Sequence, residues 1–436
     1  MDRRVALVFV SLLALGARRA EPATLEKVAV EGDPAPQPGS FYRRKFQKPA
    51  VSDATGARVA ASVRTFINPN CLVSFDPGPG PDAIIVCRKD PSPDGHQFGT
   101  LGNPSINITS EPAWAAAVTF ARSGVFRGSS MTVAFTGDPS PAGSGFLRKF
   151  SSALITDGGD VVFQAIISGG AVVGGVTVDQ GFFRCTGGNG LCSTGGTGTL
   201  QTLVLKNDPV LDRPGRKLCK LQTLSASTFG IAFLAETQLD CSSTTETPLE
   251  GIFRKPFAGA VVTVALQGEP SKPQPAPGGT TYALVAGPVA IEKDGIVAFL
   301  GATTGLIGAE MLFLCDPASC PASQADVAVQ QGDPDGNGDF FQRFSTPALS
   351  DAGDIAFQGR VNDGLRSSGI YIRRLIGGTI ATVARLNDVA PGVSPTAQFT
   401  FFAAPSMSPG GKVAFKVRVR QVASSPRTRE GLFLFE

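Results

Sequence analysis

Residues 332–371 read GDPDGNGDFFQRFSTPALSDAGDIAFQGRVNDGLRSSGIY, and this stretch decides the fold because its signals recur along the chain. It contains, in order, a Gly-Asp-Pro turn, a Phe-x-x-Phe segment, an Asp-Ala-Gly turn, an Ile-Ala-Phe run and a Gly-Ile-Tyr run. The same order can be followed through seven cycles, which begin near residues 31, 90, 137, 207, 268, 332 and 387. Self-similarity at a fixed period indicates a repeat architecture.

The repeat has the length and composition of a propeller blade. Six periods from Asp33 to Asp388 cover 355 residues, or about 59 residues each, which is near the size of known blades with longer loops. The 52 Gly and 33 Pro residues divide short runs of Val, Ile, Phe and Thr, and no cycle contains a helical pattern. The sequence therefore predicts an all-β chain.

Each cycle is interpreted as four strands. Strand a holds the Phe-x-x-Phe segment, strand b the Val-Ala-Phe run, strand c the Gly-Ile-Phe run, and strand d the Val-rich stretch before the next Gly-Asp-Pro. An Asp-Gly turn joins strands a and b, since Gly adopts positive φ without strain. Weaker copies are assigned to residues 58–60 and 117–120 for strand b, and to residues 84–86 for strand c of the first cycle.

The two ends of the chain predict how the repeats close. The chain stops after strand c of the seventh cycle, and residues 25–31 form a strand d with no strands before it. We therefore predict a seven-bladed β-propeller of four-stranded blades over residues 24–436, closed by pairing of Val28 to Val30 with Gly431 to Phe435. Closure removes unpaired edges. An open row of repeats, or two smaller domains, is the alternative.

Residues 1–20 resemble a secretory signal peptide. Two arginines, Arg3 and Arg4, precede an apolar run over residues 5–15, and small residues follow at Gly16, Ala17 and Ala20. The run is too short for a membrane anchor, which needs about 20 apolar residues. The sequence predicts a secreted or periplasmic monomer with no membrane span in the mature chain.

Eight cysteines in an exported chain favour disulfides over a metal site. They fall into neighbouring pairs, and no Cys-x-x-Cys spacing supports zinc. Cys185 and Cys315 each lie two residues after a strand-c aromatic, so their disulfides would staple strand c to strand d. The predicted pairs are Cys71 with Cys87, Cys185 with Cys192, Cys219 with Cys241, and Cys315 with Cys320, although the sequence does not fix the connectivity.

The residues that commonly carry catalysis are scarce. His96 is the single histidine, in a loop, and no nucleophile elbow, zinc helix or phosphate loop is present. The net charge of +3 is scattered, which argues against nucleic acid as a partner. The 30 Phe residues occupy the repeat anchors and are interpreted as core. The sequence thus identifies no catalytic residues.

One turn carries the pattern of a calcium loop. Asp333, Asp335, Asn337 and Asp339 alternate with Pro and Gly, and oxygen side chains in such spacing can converge on one hard cation. The twelfth position is Phe344, so the bidentate Glu of an EF-hand is absent. The alternative interpretation is an ordinary Gly-Asp-Pro turn, whose Asp accepts hydrogen bonds from the backbone N–H groups that follow it, as expected also at Asp33 and Asp138. Calcium is the only cofactor that the sequence suggests.

The recurring Gly-Asp-Pro, Val-Ala-Phe and Gly-Ile-Phe signals resemble a family of exported bacterial tandem-repeat proteins of unknown function. The resemblance spans nearly the whole mature chain and is strongest in the third, sixth and seventh cycles. It implies a propeller-like fold and export, and it supplies no catalytic residues.

The leading functional hypothesis is a non-catalytic propeller that binds a protein or glycan partner through loops on one face. That face would hold the d–a turns and the b–c loops, including the insertions at residues 168–180 and 236–250. Irregular loops on a rigid scaffold commonly carry binding. The alternatives are a carbohydrate-active hydrolase or lyase that uses carboxylates in the central funnel, and a structural module of the cell envelope.

Overall fold

The structure is a computed structural model, and it describes residues 24–53, 58–68, 70–76, 81–129, 131–173, 175–187, 192–193, 197–269, 281–304, 309–317, 326–421 and 427–436. These residues form seven antiparallel sheets arranged as a seven-bladed propeller, and no helix occurs among them. The predicted fold class is confirmed. The predicted signal peptide at residues 1–20 lies outside the described residues.

Each blade contains the four predicted strands, and in blades 1, 2, 6 and 7 strand a is broken into two pieces. Strand a comprises, from blade 1 to blade 7, Tyr42–Arg43 with Ala50–Ser52, Phe98–Leu101 with Ser105–Ile106, Phe146–Ile155, Lys217–Ala226, Tyr282–Ile291, Phe341–Phe344 with Ala348–Leu349, and Ala397–Phe402 with Ser406–Met407. Strand b comprises Arg58–Thr65, Pro112–Val118, Val161–Ser168, Gly230–Gln238, Val297–Thr303, Ile355–Val361 and Val413–Gln421.

The outer two strands complete each blade. Strand c comprises Cys71–Phe75, Arg122–Arg127, Gln180–Thr186, Leu249–Pro256, Glu310–Cys315, Ser368–Arg373 and Thr428–Phe435. Strand d comprises Ala83–Cys87, Met131–Phe135, Thr199–Leu205, Val262–Leu266, Asp326–Gln330, Ile380–Arg385 and, in blade 7, Leu25–Val30. A two-stranded hairpin, Val172–Val173 with Val176–Thr177, lies in the b–c loop of blade 3.

The N-terminal strand closes the ring as predicted. Leu25–Val30 pairs antiparallel with Thr428–Phe435, with Val30 opposite Gly431 and Leu25 opposite Phe435. The strands a of neighbouring blades contact each other in sequence around the ring, including those of blades 7 and 1. The hydroxyl of Ser406 in blade 7 also donates to the carbonyl of Pro49 in blade 1 at 2.6 Å. Blade 7 is therefore built from both ends of the described chain.

Aromatic pairs between strands b and c form the repeated part of the core. Phe163 and Phe183 in blade 3 have ring centroids 5.7 Å apart, and both side chains are fully buried. Equivalent pairs are Phe233 with Phe253, Phe299 with Phe313, Phe357 with Tyr371, and Phe415 with Phe433. Burial of such rings contributes most of the driving force for packing. The interpretation of the Phe anchors as core is confirmed.

Two weak repeat assignments were wrong. Phe120, assigned to strand b of blade 2, is exposed in the b–c turn, and Trp114 instead stacks on Phe126 with centroids 6.0 Å apart. Residues 84–86, assigned to strand c of blade 1, belong to strand d, and strand c is Cys71–Phe75. Both errors arose because the search relied on Phe and Gly anchors. In these blades a Trp or a β-branched residue occupies the equivalent buried place.

The Gly-Asp-Pro turn is a d–a connection in which the Asp side chain accepts a hydrogen bond from a residue that precedes it in the chain. The Asp138 carboxylate accepts the N–H of Phe135 at 2.7 Å, and the same bond to the residue three positions earlier recurs at Asp33 and Asp333. The expectation of bonds from following N–H groups was therefore wrong for these turns. The Gly position needs positive φ, which is 100° at Gly137.

Three disulfides are present within the described residues. Cys71–Cys87 joins strand c of blade 1 directly to its strand d, and Cys185–Cys192 joins strand c of blade 3 to the c–d connection. Cys219–Cys241 joins strand a of blade 4 to its b–c loop. Cys315 is also disulfide-bonded, and its predicted partner Cys320 lies outside the described residues. Disulfides of this kind persist in oxidising compartments outside the cytosol.

Candidate functional site

The antiparallel order of the blades gives the propeller two different faces. The d–a connections and b–c loops lie on one face, called here the loop face. The a–b turns and c–d connections lie on the other face, called here the turn face. Strand a is the innermost strand of every blade, so its two ends surround the two mouths of a central channel.

Residues from strand a of all seven blades line this channel. Its cavity volume is about 400 Å³, within the range of small-molecule sites. The wall combines apolar side chains such as Leu154 and Met407 with hydroxyl-bearing ones such as Ser152 and Ser225, and contains no aromatic ring among the described residues. A channel of this size and mixed lining can admit a small ligand.

The turn-face mouth is acidic. Asp157, Glu292 and Asp351 line it, and Asp53 lies close enough to repel two of them. Burial raises the pKa of Asp157, and repulsion by Asp351 and Asp53 raises it further, against the hydrogen bond from Ile108. The Asp351 carboxyl likewise has a pKa raised mainly by burial, with repulsion by Asp294 and Asp53 adding to it.

These carboxylates also connect neighbouring blades. Asp157 of blade 3 accepts the N–H of Ile108 in blade 2 at 3.1 Å, and Asp351 of blade 6 accepts the N–H of Lys293 in blade 5 at 3.4 Å. Asp53 of blade 1 accepts from the backbone of Gly410 in blade 7. The acidic mouth therefore has a structural role, because Asp157, Asp351 and Asp53 each tie one a–b turn to the turn of the preceding blade, while Glu292 accepts hydrogen bonds within its own turn.

Two lysines line the channel: Lys293, at the turn-face mouth, is paired with Asp294, whereas Lys48 lies nearer the loop face. The Lys48 side chain lines the cavity and is reached by solvent there, but it makes no hydrogen bond or ion pair with any residue that the structure describes. Protein surrounds the ammonium group, and this burial lowers the pKa of Lys48. Lys48 belongs to none of the recurring sequence signals.

Cations surround the loop-face mouth. The first half of strand a carries seven exposed basic residues, called here the cationic collar: Arg43, Arg44, Lys45, Arg148, Lys149, Lys220 and Arg343. No Asp or Glu occupies the equivalent positions in any blade. Two members are paired, Arg44 with Glu31 at 3.3 Å and Lys220 with Glu236 at 2.5 Å. The channel is therefore positive at one mouth and negative at the other.

The loop face also collects the exposed apolar side chains. Of the eighteen large apolar residues that are exposed within the described residues, fifteen lie at loop-face ends of strands or in loop-face connections. The exceptions are Ile108, Leu375 and Ile376. Six of the fifteen are aromatic: Phe41, Phe66, Phe120, Phe146, Phe340 and Phe401. The two faces therefore differ in how much apolar surface they expose.

Aromatic and cationic side chains are interleaved on this face. Phe41 stacks on Phe66 with centroids 4.9 Å apart, and the guanidinium of Arg43 lies 4.5 Å from the centroid of Phe66. His96, the single histidine, lies in the d–a turn of blade 2 with its ring 5.1 Å from that of Phe120. His96 is thus a partly exposed loop residue, away from the channel lining.

Two of the residues predicted to bind calcium lie beside an arginine of the protein itself. Asp335 is fully buried and accepts the N–H groups of Asn337 and Asp339, while Asp333 bonds within its own turn. The guanidinium of Arg385 lies 2.6 Å from Asp339 and 3.6 Å from Asp335. Within the described residues no group of three or more Asp, Glu, His or Cys side chains has a metal-binding arrangement. Calcium remains a prediction of the sequence.

No helix long and apolar enough to cross a membrane occurs in the part of the chain that the structure describes.

The fold, with its central channel and two unlike faces, defines the molecule as a seven-bladed β-propeller. Residues 15–194 and 319–435 match the family described as "Family of unknown function (DUF7453)". These residues make up more than half of the chain, so the chain belongs to this family. A search of curated proteins found no match.

Comparison with solved structures identifies several distant likenesses. A chain from a structural study of two prolyl endopeptidases is 12% identical, with a TM-score of 0.45, covering 93% of this chain and 50% of its own. A puromycin-hydrolyzing peptidase of Mycobacterium tuberculosis is 12% identical, with a TM-score of 0.41 and coverage of 89% and 51%. The polysaccharide lyase Uly1 is 11% identical, with a TM-score of 0.41 and coverage of 94% and 97%. This chain therefore spans about half the length of the peptidase chains, and none of these likenesses assigns it an activity.

Proposed function

We propose that this protein is an exported, non-catalytic propeller that binds an acidic protein partner through its loop face. The observation that carries the proposal is the concentration of exposed apolar side chains on that face, around the cationic collar. Aromatic and Arg side chains are enriched in protein interfaces, where the rings supply buried area and the charges supply specificity. The partner surface that fits is apolar with Asp and Glu around it.

The charge of the collar selects the partner. Five of its members, Arg43, Lys45, Arg148, Lys149 and Arg343, make no ion pair with any residue that the structure describes. An acidic partner would neutralise them and would be attracted from a distance, so its association rate would fall as salt rises. A neutral glycan would make no use of these charges.

The test compares variants of the two faces. The wild-type protein, the loop-face variant Arg148→Glu/Lys149→Glu, and the turn-face variant Leu375→Ser/Ile376→Ser are each immobilised and exposed to exported proteins of the native cell. A protein retained by wild type is then purified, and its Kd is measured for all three. We expect the loop-face variant to lose at least about tenfold in affinity, or about 1.4 kcal/mol, and the turn-face variant to lose nothing.

Four results would reject this proposal. Equal binding by the loop-face variant would exclude the collar, and loss of binding by the turn-face variant would move the interface to the other face. Binding of an acidic glycan on an array, lost in the loop-face variant while no protein is retained, would change the partner to a glycan. Sedimentation analysis tests the expectation of a monomer, because a concentration-dependent dimer lost in the loop-face variant would make a second copy the occupant.

The acidic mouth supports a second candidate function, a carbohydrate-active hydrolase or lyase. Asp157 and Asp351 line the channel with pKa values raised by burial, and a carboxyl that retains its proton can act as a general acid. A hydrolysis and lyase screen on purified protein tests this candidate. Activity that disappears in Asp351→Asn but persists in Asp294→Asn would favour the enzyme over the binding protein.

Export and calcium binding are tested on the same preparation. We expect mass spectrometry of exported material to show an N-terminus near residue 21, and full-length chains retained in the cytosol would contradict export. For calcium, calorimetry with wild type and Asp335→Asn is decisive. Absence of heat with wild type would reject calcium binding and would leave Arg385 as the only cation at Asp335 and Asp339.

A further inference from the structure

We propose that the central channel is an anion-binding site in which Lys48 pairs with a carboxylate, sulfate or phosphate group of a small hydrophilic ligand entering from the loop face. The Lys48 site lies inside the channel, away from the apolar loop-face surface. Its test can therefore succeed or fail whether or not the loop face binds a protein partner.

Lys48 forms no ion pair with any carboxylate in the part of the chain that the structure describes. The carboxylates of the channel, Asp157, Glu292 and Asp351, lie at the turn-face mouth. Asp53, at the a–b turn of the same blade, lies five residues after Lys48 along the chain, and the strand Ala50–Ser52 runs between them, which would span about 16 Å if the whole segment were extended. Lys48 lines the channel and is reached by solvent there, but the surrounding protein reduces the hydration of its ammonium group and supplies no counter-charge. An anion bound in the channel would supply this counter-charge.

Lys48 also occupies a repeat position that is polar in the two following blades. Val51, Ile106 and Ile155 each pair with the first part of strand b, and three residues before them lie Lys48, Asn103 and Ser152. All three of these polar residues line the channel, on three consecutive blades. The amide of Asn103 and the hydroxyl of Ser152 can donate to oxygen atoms of a ligand. The ligand chemistry that fits is an oxyanion carrying hydroxyl groups.

The charges at the two mouths of the channel also favour an anion near Lys48. The cationic collar lies at the mouth nearer to Lys48, on blades 1, 3, 4 and 6, and the far mouth holds Asp157, Glu292 and Asp351 together with Lys293, which is paired with Asp294. Clefts lined by one sign of charge concentrate oppositely charged ligands and raise their association rates. An anion is therefore attracted at the loop face, held at Lys48, and prevented by repulsion from leaving through the turn face.

Chemical modification tests this site without knowledge of the natural ligand. Pyridoxal 5′-phosphate carries a phosphate and an aldehyde; a deprotonated lysine amine condenses with the aldehyde, releases water, and is fixed by borohydride reduction. We expect peptide mapping at neutral pH to show Lys48 modified several times faster than Lys89, which lies outside the channel, because the channel holds the probe's phosphate beside Lys48 and the lowered pKa of Lys48 favours its reactive free amine. Citrate, galacturonate, sulfate and inorganic phosphate, each added in excess, should protect Lys48 and leave Lys89 unaffected.

Thermal unfolding gives a second, independent readout. The anions that protect Lys48 should raise the Tm of wild type and of Lys89→Met but not that of Lys48→Met, since a ligand stabilises only the state that binds it. The ranking of citrate, galacturonate, sulfate and phosphate identifies the anionic group. Modification of Lys48 no faster than Lys89, or modification that none of the four anions slows, would overturn the proposal. Equal stabilisation of Lys48→Met would also overturn it.

Discussion

Lys48 is a residue whose charge costs stability in the unliganded protein, and this cost can be measured. Its pKa in the folded state is lowered from the ordinary 10.5, so between the two values the unfolded chain binds more protons and stability rises with pH. Below the folded-state pKa the full cost applies. The Lys48 side chain is also reached by solvent in the channel, which screens its charge, so the cost is small. We predict that Lys48→Met raises the Tm near pH 7 by no more than about 1–2 °C, and that the gain shrinks as the pH approaches the pKa of the free amine.

Calorimetry of wild type, Lys48→Met and Lys89→Met at several pH values checks this prediction. Lys89 is exposed, so its replacement should leave the Tm unchanged throughout. A lower Tm for Lys48→Met at pH 7 would show that the ammonium group stabilises the fold. That result would contradict the prediction that its charge lowers stability.

Arg385 is a residue whose removal should be strongly destabilising. Its side chain is buried against Asp339 and the fully buried Asp335. Removing one partner of a buried ion pair leaves the other charge uncompensated, so we predict that Arg385→Met lowers the unfolding free energy by about 3–5 kcal/mol. Denaturant unfolding checks this prediction, with the exposed Arg360→Met as a near-neutral control. A loss below about 1 kcal/mol would mean that the carboxylates are neutralised in another way.

These two residues show what sequence could and could not predict about sites. The alternation of Asp and Asn at residues 333–339 correctly indicated a cluster of side-chain oxygens, but only the fold brings Arg385, fifty residues later, against Asp335 and Asp339. Lys48 left a weaker signal. It is the only charged residue at its position among the seven copies, and this becomes visible once the structure fixes the register of strand a.

At the scale of elements, the d–a turn depends on one carboxylate, which accepts a hydrogen bond from the backbone N–H of the residue three positions earlier. Asp138 accepts the N–H of Phe135, and without it that donor, at the end of strand d, is left unpaired. We predict that Asp138→Ala lowers the unfolding free energy by about 1–2 kcal/mol, while Asp138→Asn, which keeps an acceptor oxygen, loses less than half of that. Denaturant midpoints of the two variants check this prediction. Equal losses would assign the role of Asp138 to its charge instead.

The strands themselves were largely predictable, because each has a local pattern: Gly and Pro divide them, and Phe or Ile marks the buried face. Blades 1 and 2 were misassigned in part, since Trp114 and Val73 occupy positions where the other blades have Phe or Tyr. The bonds between a–b turns, such as Asp351 with Lys293, were not predictable. They depend on how far each blade is rotated against its neighbour.

At the scale of the whole molecule, the ring gives the two faces different surfaces. Apolar and cationic residues on the loop face are far apart in sequence, and closure brings all seven d–a connections around one channel mouth. Composition alone could not show this, because a net charge of +3 conceals a positive mouth and a negative mouth. Both proposed sites, at the loop face and at Lys48, require a closed ring.

Closure is therefore the claim to test most directly, by replacing Leu25–Val30 with a Gly-Ser segment of equal length and measuring the Tm. This strand buries Ala29 and Val30 and pairs with the last strand of the chain. We predict a loss of several kcal/mol, visible as a fall in Tm of about 5–10 °C, whereas Glu26→Gln in the same strand should change the Tm by less than about 1 °C. An unchanged Tm in the Gly-Ser variant would contradict the closed ring, and with it the channel and both faces.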